Sequence, residues 1–237
     1  MKKLILFCLA VVFTAGINSC GKDSSNSDLV VYKVPVDIAA RYIALAFCNA
    51  TAGINSHMEN AAMFTARGSG TFDSTFNVKV IDSTAPVRYN YNVVYNFIRQ
   101  AATPPETTMG YTSQGTFSCD AMISQDGPKG NWIITTLDQA LLTMNGTGED
   151  AGMQYARLEK VNFGSKITYT LNNVMMSKVS PYMAASGTVQ VSINGTGPLG
   201  VLFGYSGTIT YNGNRQATLV LGGVTFHFSL SAGTITG

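Results

Sequence analysis

Charge is scarce in this sequence. Asp, Glu, Lys and Arg supply 12% of its 237 residues, about half the share of an ordinary soluble domain. The formal net charge is +2. Both excess lysines, Lys2 and Lys3, belong to a leader described below, so the remainder balances 13 basic against 13 acidic side chains. Overall neutrality leaves no electrostatic footprint for nucleic acid or anionic lipid. Histidine is limited to His57 and His227, tryptophan to Trp132 and cysteine to four residues, which leaves few ligands for a metal centre. The longest apolar run, Leu4 to Ala15, falls short of the about 20 residues a spanning helix needs. Disorder is equally excluded, because 46% of the residues are apolar and such a chain can bury a sizeable core.

What is present begins with that run. Met1-Lys2-Lys3, a short apolar middle and Gly16-Ile17-Asn18-Ser19 ahead of Cys20 follow the plan of an export signal. The four residues Ile17-Asn18-Ser19-Cys20 resemble the lipobox of bacterial lipoproteins. That resemblance implies cleavage after residue 19, a thioether-linked diacylglycerol on Cys20 and usually a further acyl chain such as palmitate. Two or three chains hold a protein on a bilayer stably, at about 0.8 kcal/mol per buried methylene. Residues 20–34 then read as a lipidated polar tether and 35–237 as one β-rich domain with an N-terminal helical hairpin. The start of the tether, Gly21-Lys22-Asp23-Ser24, resembles that of Bacteroidota lipoproteins. This implies an outer-membrane location, with surface display and a periplasm-facing position both open.

Cys8 leaves with the leader and Cys20 carries lipid, so Cys48 and Cys119 remain. Both fall at apolar positions of their segments, and two readings stay open: a pair of buried thiols, or a Cys48–Cys119 disulfide in an oxidising envelope.

Asp37 is a candidate N-cap for a helix through Ile38, Tyr42 and Leu45. Ser56-His57-Met58-Glu59 has the spacing of a capping box and predicts a second helix to about Thr65. From Thr71 the period becomes two. Tyr89, Tyr91, Val93, Tyr95 and Phe97 alternate with mostly polar residues, as in a half-buried antiparallel strand whose aromatic side faces the core. About ten such strands are expected. Asn212-Gly213 and Gly222-Gly223 predict hairpins, as do Asn145-Gly146 and Asn194-Gly195, and Gly-Thr pairs recur at predicted strand starts. The fold class that follows is mainly β: a strongly curved antiparallel sheet or barrel-like meander with two short N-terminal helices. Leu142-Thr143-Met144-Asn145-Gly146-Thr147, Lys166 to Leu171 and Tyr205 to Gly213 carry a resemblance, over about Leu29 to Leu230, to an uncharacterised family of β-rich outer-membrane or surface lipoproteins of the Bacteroidota. The resemblance implies shape and brings no activity, cofactor or site.

Chemistry is sparse. His57 has only Glu59 near ligand spacing, and His227 alternates with Phe226 and Phe228, placing it on a solvated strand face. Gly195-Thr196-Gly197-Pro198-Leu199-Gly200 matches a dinucleotide fingerprint as a string, but a strand follows where the phosphate chemistry needs a helix. Glu149-Asp150 is the only adjacent acidic pair and reads as a solvated turn. Asp73-Ser74-Thr75 and Asp82-Ser83-Thr84 resemble the O-glycosylation acceptor pattern of Bacteroidota envelope proteins, or are Asp/Ser turns. The expectation is therefore a non-enzymatic, membrane-anchored protein with a binding or structural role and without cofactor, metal or catalytic residues. Protein, glycan or apolar ligand stay open as partners; the alternative is a carrier of an apolar ligand inside the curved sheet.

Overall fold

The computed structural model describes residues 33–67, 71–83, 86–100, 105–136 and 140–236. The leader, Cys20, most of the tether and Thr84 lie outside the described residues.

Two helices come first, α1 (Val36–Phe47) and α2 (Ile54–Arg67), followed by twelve strands: β1 (Phe72–Asp82), β2 (Arg88–Gln100), β3 (Glu106–Ser118), β4 (Met122–Asp126), β5 (Lys129–Thr136), β6 (Leu141–Ala156), β7 (Val161–Ser177), β8 (Ala184–Thr196), β9 (Leu202–Tyr211), β10 (Gln216–Leu221), β11 (Val224–Ser229) and β12 (Ile235–Thr236). All strands join one antiparallel sheet, ordered β1-β2-β3-β4-β6-β7-β8-β9-β10-β11-β12, with β5 also set between β3 and β6. The register of β4 against β3 continues unchanged into β5, with Gly115 opposite Asp126 and Thr112 opposite Lys129. β4 and β5 are thus one strand broken at Gly127-Pro128, where proline lacks the N–H a ladder requires. The sheet is open and not a closed barrel, and β1 and β12 form its edges.

Nine of the twelve α1 residues are buried, so this helix is covered on nearly every side, as expected of a segment enclosed by other elements rather than lying on a surface. Its partners are the inward faces of the strands. Tyr42 meets Phe163 edge-on at 6.2 Å and Phe47 meets Tyr169 at 5.6 Å. Tyr91, Val93, Tyr95 and Phe97 are all buried, so the aromatic side of β2 faces the core as its alternation predicts. Phe64 of α2 stacks on Phe97 at 4.1 Å. The interior of the curved sheet, where an apolar ligand would sit, is occupied by these helices and their side chains.

Local signals misplace some boundaries. Pro35, not Asp37, is the N-cap of α1, and Asp37 lies in its first turn, where the helix dipole favours its charge. α2 starts two residues before Ser56, and the capping box does not form. Glu59 instead accepts from Asn55 at 3.2 Å and pairs with Arg215 at 3.5 Å. The early start follows from Gly53, where a Cβ would stand 2.4 Å from the Ala46 carbonyl oxygen; the chain can reverse tightly only there. Gly222 and Gly223 do form a two-residue hairpin, with φ of 57° and 85°, the type I′ pattern. Asn212-Gly213 also turns the chain.

Asn145-Gly146 and Asn194-Gly195 do not. Gly146 sits at a bulge inside β6 with φ of 146°, and Asn194-Gly195 lies within β8 opposite β9. The Gly-Thr pairs at 115, 187 and 207 are likewise mid-strand. A Cβ at Gly207 would stand 1.9 Å from the Val220 carbonyl oxygen, so glycine here marks close backbone approach rather than a turn. Asp73-Ser74-Thr75 belongs to edge strand β1, not to a turn.

Candidate functional site

The residues singled out for chemistry separate on folding. Glu149 and Asp150 are consecutive in β6, so their side chains leave opposite faces of the sheet. Glu149 faces outward between Lys129 Nζ at 2.9 Å and Lys166 Nζ at 2.5 Å, and these two lysines hold its carboxyl below the ordinary range. Asp150 faces inward and is 2% exposed. The pair is therefore no turn, and it cannot converge on one substrate.

The carboxylate that joins Asp150 is Asp126, 24 positions earlier and not evident from sequence. Both acids flank the break between β4 and β5, and both point inward. The Tyr91 hydroxyl donates to Asp126 Oδ1 at 2.6 Å and Ser124 to Oδ2 at 2.6 Å. The Tyr42 hydroxyl donates to Asp150 Oδ2 at 3.0 Å, tying α1 to the sheet. Burial raises the pKa of Asp126. Burial, then the charge of Asp126, raises that of Asp150 well above the carboxylate range. Gln154 and Ser165 extend this polar network. Every member is buried, so the network holds the fold together and presents nothing to an outside substrate.

His57 is also interior. Its Nδ1 lies 2.7 Å from the Tyr95 hydroxyl, and its ring rests 4.2 Å from that of Tyr111. Burial pushes its pKa down to about 3, so the ring is neutral. His227 is exposed on β11 and contacts Thr218 Oγ1 at 3.1 Å. One histidine is inside the sheet and the other outside, so the fold does not unite them. Among the described residues no group of three His, Cys, Asp or Glu could hold a metal ion. Cys48 and Cys119 are free, buried thiols with no bridge between them, and burial pushes the Cys48 thiol up. The Gly195–Gly200 string forms the end of β8, a short 3-10 turn and the approach to β9, with no helix to receive a phosphate.

The outer face supplies what the motifs do not. A groove of about 1070 Å³ crosses β2, β3, β5, β6, β7, β8 and β9. Register places two rows of outward side chains along it. One row is Asn96, Gly110, Asn131, Thr147, Thr170, Gln190 and Thr208. The other is Val94, Thr112, Lys129, Glu149, Thr168, Ser192 and Ser206. Neighbouring strands lie about 4.8 Å apart, so the rows span about 29 Å, and hydroxyl or amide groups fill them except at Gly110, Val94, Lys129 and Glu149. Some already bond laterally, as Thr168 to Ser192 at 2.8 Å and Thr208 to Gln190 at 3.1 Å. The Lys129–Glu149–Lys166 cluster is the charged part of this strip.

Beneath the groove, Tyr111, Gly130, Gly148 and Tyr169 are consecutive inward positions on β3, β5, β6 and β7. The two tyrosines bridge the glycines, their hydroxyls meeting at 2.8 Å. A Cβ at Gly148 would lie 2.1 Å from the Tyr169 hydroxyl oxygen, and one at Gly130 2.8 Å from it. The aromatic rings therefore lie under the floor and cannot stack on anything in the groove. What the groove surface offers is hydrogen-bonding groups, not ring faces.

The rows were missed in sequence because strand alternation shows each polar residue only as outward-facing; alignment across seven strands is a property of register. Comparison with protein-family models, curated proteins and solved structures finds no match to this chain.

Proposed function

We propose that this protein is an envelope lipoprotein, held on the outer membrane through lipid on Cys20, whose β-rich domain binds a hydroxyl-rich polymer, a neutral glycan, without catalysing a reaction on it. One observation carries the binding reading: two registered rows in a groove some seven strands long, with hydroxyl or amide side chains at ten of their fourteen positions. Such a surface offers paired donors and acceptors at regular intervals along an extended chain. The seclusion of the acid pair and of His57 from the outside supports binding over turnover. The filled interior favours the outer groove over an internal apolar ligand. The lipobox resemblance of Ile17-Asn18-Ser19-Cys20 supports the anchor.

Titration of the full mature protein with soluble envelope polysaccharides, followed by calorimetry, tests the reading. Binding is expected, and Thr147→Leu with Thr170→Leu, both outward-facing, is expected to weaken it at least tenfold, about 1.4 kcal/mol, with the denaturation midpoint retained. Absence of binding to every such polymer, or binding indifferent to these substitutions, overturns it.

A further inference from the structure

The sheet has two rims, defined by the ends of its strands. The turns after β1, β3, β6, β8 and β10 lie on one of them. The start of the described domain lies there too: Lys33 stands 5.1 Å over the ring of Tyr205, whose hydroxyl donates to the Val34 carbonyl at 2.7 Å.

This rim carries large apolar side chains that no packing explains. Leu199 is 82% exposed, Leu202 75% and Leu158 69%. Leu158 occupies the β6–β7 turn, and the other two lie in or beside the β8–β9 turn. The two hairpins are neighbours, about 10 Å apart across the sheet, with β6–β7 running three residues beyond the Gly164–Thr196 pair where β8 ends. Leu199 also adopts φ of 59° and ψ of 18°, a left-handed conformation unfavourable for a branched side chain. Gly200 is left-handed as well, with φ of 78°, so the turn holds two consecutive left-handed residues and the first of them is a leucine. Scattered exposed leucines need no explanation, but three on adjoining tips form a patch. Lys160, exposed in the same turn, is a long side chain suited to reach headgroups from an apolar contact, while Arg157 donates to Ser118 Oγ at 3.0 Å and Glu159 is engaged by Arg41 at 2.8 Å.

The position of the chain start identifies what covers the patch. Only the twelve residues 21–32 separate Cys20 from Lys33, at most about 3.6 Å each, and they join the domain at this rim. We infer that the Leu158, Leu199 and Leu202 tips dock into the surface of the bilayer that holds the anchor, so that the domain stands on this rim with its outer groove to the side. This inference rests on the lipoprotein reading of Cys20.

The full mature protein, reconstituted in phosphatidylethanolamine–phosphatidylglycerol vesicles, tests it. A nitroxide is attached at Leu199→Cys, and in a second sample at Val179→Cys, which is on the opposite rim. The native Cys48 and Cys119 are buried and stay unlabelled. The label at 199 is expected to collide several-fold more with oxygen than with a water-soluble nickel chelate, reporting burial about 5–10 Å into the headgroup boundary. The label at 179 is expected to report water. Aqueous exposure at both sites overturns docking, as does immobilisation of the label at 199 without vesicles, which would instead place a second copy on the rim. Intact mass is read separately: an unmodified Cys20 overturns the anchor, while the label at 199 still decides whether the tips enter lipid.

Discussion

Gly148→Ala isolates the structural device beneath the groove. The added Cβ would sit 2.1 Å from Tyr169 Oη, 2.2 Å from Cζ and 2.5 Å from the Lys129 carbonyl oxygen. None of these can simply rotate away, because Tyr169 is 2% exposed and its hydroxyl meets that of Tyr111. Overpacking of this kind costs about 1–3 kcal/mol, and displacing one member of a buried hydroxyl pair adds about 1–3 kcal/mol for the partner left unsatisfied. The expected loss is about 2–6 kcal/mol, measured by urea denaturation with the slope of the transition held constant. Tyr169→Phe removes the oxygen nearest the new methyl. In the double variant the two losses should fall short of additivity by at least about 1 kcal/mol, because the residues are in contact. The carbonyl of Lys129 still crowds the methyl, so recovery is partial. A Gly148→Ala variant as stable as the parent, or a double variant with fully additive losses, would refute the packing described under the groove.

Further expectations concern buried groups. His57 has a folded pKa near 3 against about 6.5 when unfolded, so the unfolded chain binds the extra proton. Stability is then fully present above pH 6.5 and lost as pH falls toward 3, by up to about 1.4 kcal/mol per pH unit; His57→Gln should remove this slope in denaturation curves taken across that range. Asp126 and Asp150 act with the opposite sign. Their folded pKa values are raised, so their contribution is complete below the ordinary carboxylate value near 3.9 and declines as pH rises through the folded values. Asp150→Asn should flatten that decline and stabilise the protein at neutral pH relative to acid, and an unchanged pH profile would argue against the acid pair. Cys48 and Cys119 should resist alkylation in the native protein and react fully in denaturant without reductant; a mass two units lower and two unreactive sulfurs would show a bridge.

The mainly β class, the two helices and the inward side of β2 follow from the sequence because they rest on local periodicity: Tyr91, Tyr95 and Phe97 alternate with asparagine and arrive in the core together. Glycine was legible only in part. Gly222-Gly223 turns because both residues need positive φ. At Gly207 and Gly148 the same residue type admits a neighbouring strand or ring, a demand set by residues 13 to 21 positions away. Glu149 and Asp150, adjacent in sequence, were parted by the pleat, while Asp126 and Asp150 were joined across a strand broken at Pro128. The groove follows the same rule: sequence determines that Thr147, Thr170 and Gln190 face outward, but hydrogen-bonded register alone lines them up, since strand pairing is a contact between distant segments that no local pattern encodes.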